Sequence, residues 1–201
     1  MMTIALPTGK LFKKSVEVLR VAGLYAAGLS EPARRLIFEG AGRFILVKPS
    51  DVPVYVENGA ADIGIAGSDV IEESARQVCE LFDLGFGKCR LVMAAPQPAR
   101  ALEEYNNRRV ATKYPLQAKD FFYDHCMEME YIKLNGSIEL APLIGMTHCI
   151  VDIVETGTTL KENGLAEVAT IKECSARLIA NRVSWKFFCR HDINALIERL
   201  K

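Results

Sequence analysis

The sequence predicts an α/β fold of two lobes. Short β-branched apolar runs alternate with helix-period segments almost throughout, the pattern of βα units and largely parallel sheets. The rhythm pauses at Ala95-Pro96-Gln97-Pro98 and then restarts, which suggests a second lobe. The unusual polar and glycine-rich residues gather just past the predicted strands, where ligands of such folds lie.

In order, residues 3–6 read as a strand. The turn Pro7-Thr8-Gly9-Lys10 leads into a helix with Phe12, Val16 and Leu19 on one face. Residues 31–42 are less regular and carry Arg34 and Arg35. A strand over 44–47 runs into Lys48-Pro49-Ser50-Asp51, where Ser50 is a candidate N-cap for a helix ending at Asn58-Gly59. Residues 62–67 form a glycine-containing strand, and Ser68 is expected to cap the next helix. Strands follow over 78–84 and 90–94, then a helix over 99–106, a strand over 109–112 and a helix over 116–123. A strand over 129–134 ends in Asn135-Gly136-Ser137-Ile138-Glu139, with Ser137 as the expected cap of a helix through Leu143. Beyond the strand at 149–154 come extended segments over 167–171 and 177–180, and one amphipathic helix over 184–200.

Half the residues are hydrophobic, and 25 Lys plus Arg balance 25 Asp plus Glu. That balance gives no support to a nucleic-acid binder. No apolar run reaches membrane-spanning length, and the N-terminus lacks a basic leader and a long apolar core, so a cytoplasmic protein is expected. The six cysteines form no C-x-x-C pair and read as reduced thiols. His125-Cys126 and His148-Cys149 are adjacent in sequence; on a strand such neighbours face opposite ways, so no metal site is assigned.

The stretch with the most chemistry is Cys149-Ile150-Val151-Asp152-Ile153-Val154-Glu155-Thr156-Gly157-Thr158-Thr159-Leu160. It reads as a buried strand, a tight loop and a helix start, with Gly164 able to close the short helix. Backbone N–H groups, three hydroxyls and a helix N-terminus around one small volume suit a phosphate monoester. Asp152 and Glu155 would then face sugar hydroxyls or a magnesium ion, which suggests a sugar phosphate. The same local pattern also fits an ordinary strand-to-helix turn with Thr as N-cap.

Five motifs in order resemble the ATP phosphoribosyltransferase family. They are Leu6-Pro7-x-Gly9-x-Leu11, Pro49-Ser50-Asp51-Val52-Pro53, Gly59-Ala60-Ala61-Asp62-Ile63-Gly64-Ile65-x-Gly67, Leu134-Asn135-Gly136-Ser137-Ile138-Glu139-Leu140-Ala141-Pro142 and Val151-Asp152-Ile153-Val154-Glu155-Thr156-Gly157-x-Thr159-Leu160. They span nearly the whole chain. The family's Lys-Gly-Arg turn is Thr8-Gly9-Lys10 here, and Lys48 stands where Arg is common; charge survives, bidentate geometry does not.

The resemblance implies a fold like the type II periplasmic binding proteins. Lobe 1 would comprise residues 1–90 with 176–201, and lobe 2 residues 91–175, with the active site in the cleft between them. It implies transfer of the phosphoribosyl group of phosphoribosyl pyrophosphate (PRPP) to N1 of ATP, with Mg2+, as the first step of histidine biosynthesis. Lys10, Arg34 and Lys48 would meet phosphate charge. Asn135, Gly136, Ser137 and Glu139, with Asp152, Glu155, Thr156, Gly157, Thr158 and Thr159, would bind substrate. The chain ends soon after Ala180-Asn181-Arg182, which on this resemblance implies the short form. That form is a homodimer within a hetero-oligomer, partnered by a regulatory subunit similar to histidyl-tRNA synthetase. A non-catalytic bilobal solute-binding protein is the alternative, and the missing signal peptide counts against it. The sensing half of a transcription regulator and a phosphoribosyltransferase acting on a free base are weaker readings.

Overall fold

The computed structural model describes residues 1–31 and 33–200. The chain divides into two units: Met1–Gly87 together with the segment from Ser175 onward, and Lys88–Cys174.

The first unit carries β1 (Thr3–Pro7), α1 (Phe12–Val21), β2 (Ile37–Glu39), β3 (Arg43–Val47), α2 (Val52–Glu57), β4 (Ile63–Gly67), α3 (Ser68–Ser74) and β5 (Val78–Asp83). The second carries β6 (Cys89–Pro96), β7 (Arg108–Thr112), α4 (Pro115–Asp124), β8 (Met129–Lys133), α5 (Leu140–Leu143), β9 (Cys149–Val154), α6 (Thr158–Glu162) and β10 (Leu165–Cys174). The chain then returns to the first unit with β11 (Ala176–Asn181) and α7 (Arg190–Leu200).

Each unit is one sheet with helices on both faces. In the first, of order β2-β3-β1-β4-β11-β5, alternation along the strands separates two cores. Ile4, Leu6, Phe44, Leu46, Ile63, Ile65 and Leu178 face Leu19 of α1 and Ile193 and Leu196 of α7. Ala5, Ala66 and Ile179 face Val52 and Val56 of α2. Fully burying a side chain such as Phe44 or Leu178 contributes about 1.5–3 kcal/mol. Gly64 must be glycine: a Cβ there would come within 2.8 Å of both Val52 Cγ1 and Val56 Cγ2. In the second unit, of order β10-β6-β9-β7-β8, Leu91, Met93, Val110, Cys149 and Val151 pack with Phe122 of α4. On the other face Val92, Ala94, Ala111, Ile150 and Val154 pack with Ala141 of α5 and Leu160 of α6.

Several expectations are corrected. The sheets are mixed rather than largely parallel. β1 pairs parallel with β3 and β4, and β7 with β8 and β9. β2, β11, β6 and β10 pair antiparallel. Apolar periodicity reports which face is buried, not strand direction. The Ala95–Pro98 stretch does not separate lobes, because β6 runs through Ala95 to Pro96. The expected helix at 99–106 is a single 3-10 turn, Leu102–Tyr105. Asn107, at φ +58°, turns the chain at once into β7. The C-terminal helix is broken: a π turn over Ser184–Phe188 precedes α7.

Three expected caps are not caps. Ser50 sits inside the 3-10 turn Pro49–Asp51 and donates to Asp51 Oδ1 at 3.0 Å. Ser68 is already in α3, where its Oγ accepts the Ser175 N–H at 3.3 Å. Ser137 lies at φ +51°, and α5 starts only at Leu140 with Glu139 in the cap position. Gly164 does close α6, at φ +65° just after Asn163. Asp62, part of one family-like motif, has a structural role. Its carboxylate accepts the Thr3 N–H at 2.8 Å and the Ser184 hydroxyl at 2.7 Å, tying the first strand to the C-terminal segment. All six cysteines are free thiols, and burial pushes Cys149 up to about 12, an unreactive core thiol. Among the described residues no helix is long and apolar enough to cross a membrane.

Candidate active site

In the second unit β9, β7 and β8 are adjacent and parallel, so their carboxyl ends share one edge of the sheet. Lys113, the segment 134–139 and the loop 155–159 all emerge there. The register pairs Thr112 with Val151, which sets Lys113 beside Asp152.

Asp152 lies inside β9, two residues before its end. Its neighbours on that face are Ile150 and Val154, both in the apolar core. Burial is the main cause that raises its carboxyl from 3.8 to about 6. The Ile153 N–H, donating to Oδ1 at 2.8 Å, and the nearby Lys113 pull the other way, while Glu139 adds to the rise. Glu139, half-buried, therefore shares this volume with Asp152 and Lys113. A carboxylate set in an apolar row costs stability, so it points to a partner absent from the chain itself. Glu155 differs: it is exposed, the first residue past β9.

The loop does not spend its hydroxyls on the helix. Gly157, at φ +79°, occupies the N-cap of α6, and no side chain caps it. A left-handed residue here favours glycine. Thr156 and Thr158 are hydrogen-bonded to one another through their hydroxyls at 3.0 Å, and Thr159 is exposed in the first turn. The first N–H groups of a helix have no intrahelical acceptor. The turn with a Thr N-cap, left open by the sequence, is not what forms. Asn135, Gly136 and Ser137 are exposed on the neighbouring loop, anchored by buried Ile138.

The three cations belong to the first unit. There β3, β1 and β4 are adjacent and parallel, and the Thr8 N–H donates to the Val47 carbonyl at 2.9 Å. The Thr8-Gly9-Lys10 turn, Lys48 and the start of α3 thus lie on one sheet edge. β2 runs antiparallel to β3 with Ile37 opposite Ile45. Arg34 is exposed in a turn ahead of β2, and no strand pairing fixes its place relative to Lys48.

Two features escaped the sequence. Lys113 follows β7 as Lys48 follows β3, so the rule that singles out cations past strand ends would have found it. The Arg90–Glu167 pair, 2.9 Å apart, had no such signal, because its members lie on different strands, β6 and β10, 77 residues apart in sequence. Glu167 Oε1 would lie 3.7 Å from a Cβ at position 157, directly against the loop. N–H and hydroxyl donors on one side and half-buried carboxylates on the other can hold a phosphate and polyhydroxyl groups together.

The class so defined is a two-lobed α/β fold of the type II periplasmic-binding-protein kind. A substrate-binding protein of an amino acid ABC transporter shares the fold with a TM-score of 0.64 at 11% identity, over 99% of this chain and 91% of that one. That likeness shows the fold alone. The family model described as ATP phosphoribosyltransferase matches residues 48–201. An ATP phosphoribosyltransferase of Moorella thermoacetica is 48% identical over all of this chain and 92% of its own length. One of Caldicellulosiruptor bescii is 47% identical over all of this chain and 98% of its own. The ATP phosphoribosyl transferase (HisG:HisZ) complex from Thermotoga maritima contains a chain 33% identical, with a TM-score of 0.86 over 100% of this chain and 96% of that one. The chain belongs to the ATP phosphoribosyltransferase family, the transferases that open histidine biosynthesis.

Proposed function

We propose that the loop Glu155–Thr159 holds the 5′-phosphate of PRPP while the phosphoribosyl group passes to N1 of ATP and pyrophosphate leaves. The observation that carries this assignment is that no side chain of the loop caps α6: Gly157 holds the N-cap, and among the described residues the Thr156 and Thr158 hydroxyls bond only to one another beside it. Asp152 takes the ribose hydroxyls. Ionised at neutral pH, it also faces the positive charge that grows on the ribose ring as pyrophosphate departs. Asn135, Gly136, Ser137 and Glu139 border the same ribose site. Lys10, Arg34 and Lys48 carry phosphate charge of ATP and pyrophosphate. No nucleophile is required, since the reaction is accelerated by positioning and by charge placed where charge develops.

Among the described residues no cluster of three or more His, Cys, Asp or Glu could hold a metal. Magnesium needs no such cluster: it takes one or two carboxylates and completes its shell with substrate phosphates and water. Asp152 and Glu139, each unfavourable to the other's charge, fit that pattern, with Glu155 as the exposed alternative. When bound, the ion offsets negative charge on the pyrophosphate. The Thermotoga maritima structure is of a two-component complex, which supports a regulatory partner for this chain as well. The partner would resemble histidyl-tRNA synthetase and join a homodimer of this chain.

A spectrophotometric assay for phosphoribosyl-ATP tests the reaction, with and without that regulatory subunit. Product is expected only when ATP, PRPP and magnesium are all present. Histidine is expected to slow turnover only in the two-component enzyme, because feedback requires a second site coupled to the first. A folded chain that makes no product in either form contradicts the reaction. Histidine inhibition of the chain alone contradicts the partner.

A further inference from the structure

At the opposite edge of the second unit's sheet lies a cavity of about 390 Å³. It sits where β6 ends and where β7 and β9 begin, away from the loop 155–159. Its wall is rich in donors and poor in acceptors. Arg100 and Arg108 line it, and among the described residues neither guanidinium is in an ion pair. The Tyr105 hydroxyl accepts the Arg100 N–H at 3.2 Å, which leaves its own proton to donate, and it makes no other hydrogen bond among the described residues. Thr147 Oγ1, buried in the same wall, has no hydrogen-bond partner among the described residues.

His148 adds a further donor. Its Nδ1 accepts the Arg109 N–H at 3.3 Å, so the neutral ring carries its proton on Nε2. Burial first, then the charges of Arg108, Arg109 and Arg100, hold this imidazole below its ordinary value, which keeps it neutral at pH 7. The one acid in the wall, Glu104, turns Oε1 to the Ala101 N–H at 3.3 Å and belongs to the 3-10 turn. Unpaired guanidiniums converging on one concave volume, beside hydroxyls without acceptors, are matched by a ligand that brings only acceptors and negative charge.

We infer that this cavity binds a small oxyanion-bearing molecule, a phosphate ester or a polycarboxylate, at a site separate from the phosphate loop. The inference does not depend on the proposed reaction. Its probes are inorganic phosphate and citrate, titrated separately into the whole chain while the ring protons of His148 are followed by NMR. At least one probe is expected to move the His148 resonance saturably. In an R100Q/R108Q double variant that affinity falls about tenfold or more. Both arginines are exposed, so the variant should fold and keep its turnover. The Thr159→Val variant should leave the His148 response unchanged. Whichever probe saturates identifies the chemistry. A His148 shift that is linear in concentration for both probes, or equal in the double variant, overturns the inference. So does a response confined to residues 155–159.

Discussion

Replacing Asp152 by Asn should lower turnover roughly 10²- to 10³-fold, the cost of removing one charge aimed at a developing charge, while the protein becomes no less stable at pH 7.5. The two effects part because of where Asp152 sits. Folding raises its carboxyl from 3.8 to about 6. The folded chain therefore holds this proton more tightly than the unfolded one, and stability is lost as pH rises through that window. By pH 7.5 the loss is complete and amounts to roughly 3 kcal/mol. Asn keeps the shape and the acceptor for the Ile153 N–H but never ionises. Its melting temperature at pH 7.5 should equal or exceed the wild type's, and the two should converge near pH 4. Wild-type kcat/KM should fall on the acid side of about pH 6 as Asp152 takes up its proton. Unchanged activity with a lowered melting temperature would make Asp152 a structural residue instead.

Gly157→Val should weaken PRPP binding by about tenfold or more, with a folding cost of about 1–3 kcal/mol for holding a branched residue in the left-handed region. Space is not the obstacle, since a Cβ there meets nothing closer than 3.7 Å. The backbone would leave φ +79°, and the loop's N–H groups would turn with it. Thr159→Val tests the side chains separately. A hydrogen bond to a charged group is worth about 1.5–3 kcal/mol, so PRPP affinity should drop about tenfold to a hundredfold. Gly164→Ala is the control: at φ +65° it carries a comparable backbone cost but lies beyond α6. It should lower stability and leave PRPP affinity alone. Calorimetric titration of the three variants with PRPP reads all of this, and equal losses in all three would assign the effect to strain.

Much of this site was legible because its residues are punctuation. Gly157 among threonines, Asn135-Gly136 and the Lys48-Pro49 step interrupt apolar runs, and such interruptions mark strand ends. What stayed hidden depends on partners distant in sequence. β11 enters between β4 and β5 antiparallel to both, after the chain returns from the other unit, and its apolar pattern reads the same in either direction. The strand over 149–154 was legible, but not that β7 would lie beside it and bring Lys113 next to Asp152. The segment 99–106 has helix-forming residues, but Asn106 Oδ1 accepts the Glu128 N–H at 2.8 Å, a tertiary tie that holds the chain as one tight turn.

The most direct test of the account is a crystal structure of this chain grown with PRPP and magnesium. The 5′-phosphate should lie within hydrogen-bond reach of the Gly157–Thr159 backbone and the Thr156 and Thr158 hydroxyls, with the ribose hydroxyls on Asp152. A bound PRPP whose 5′-phosphate sits on other residues, with the 155–159 loop empty, would contradict it.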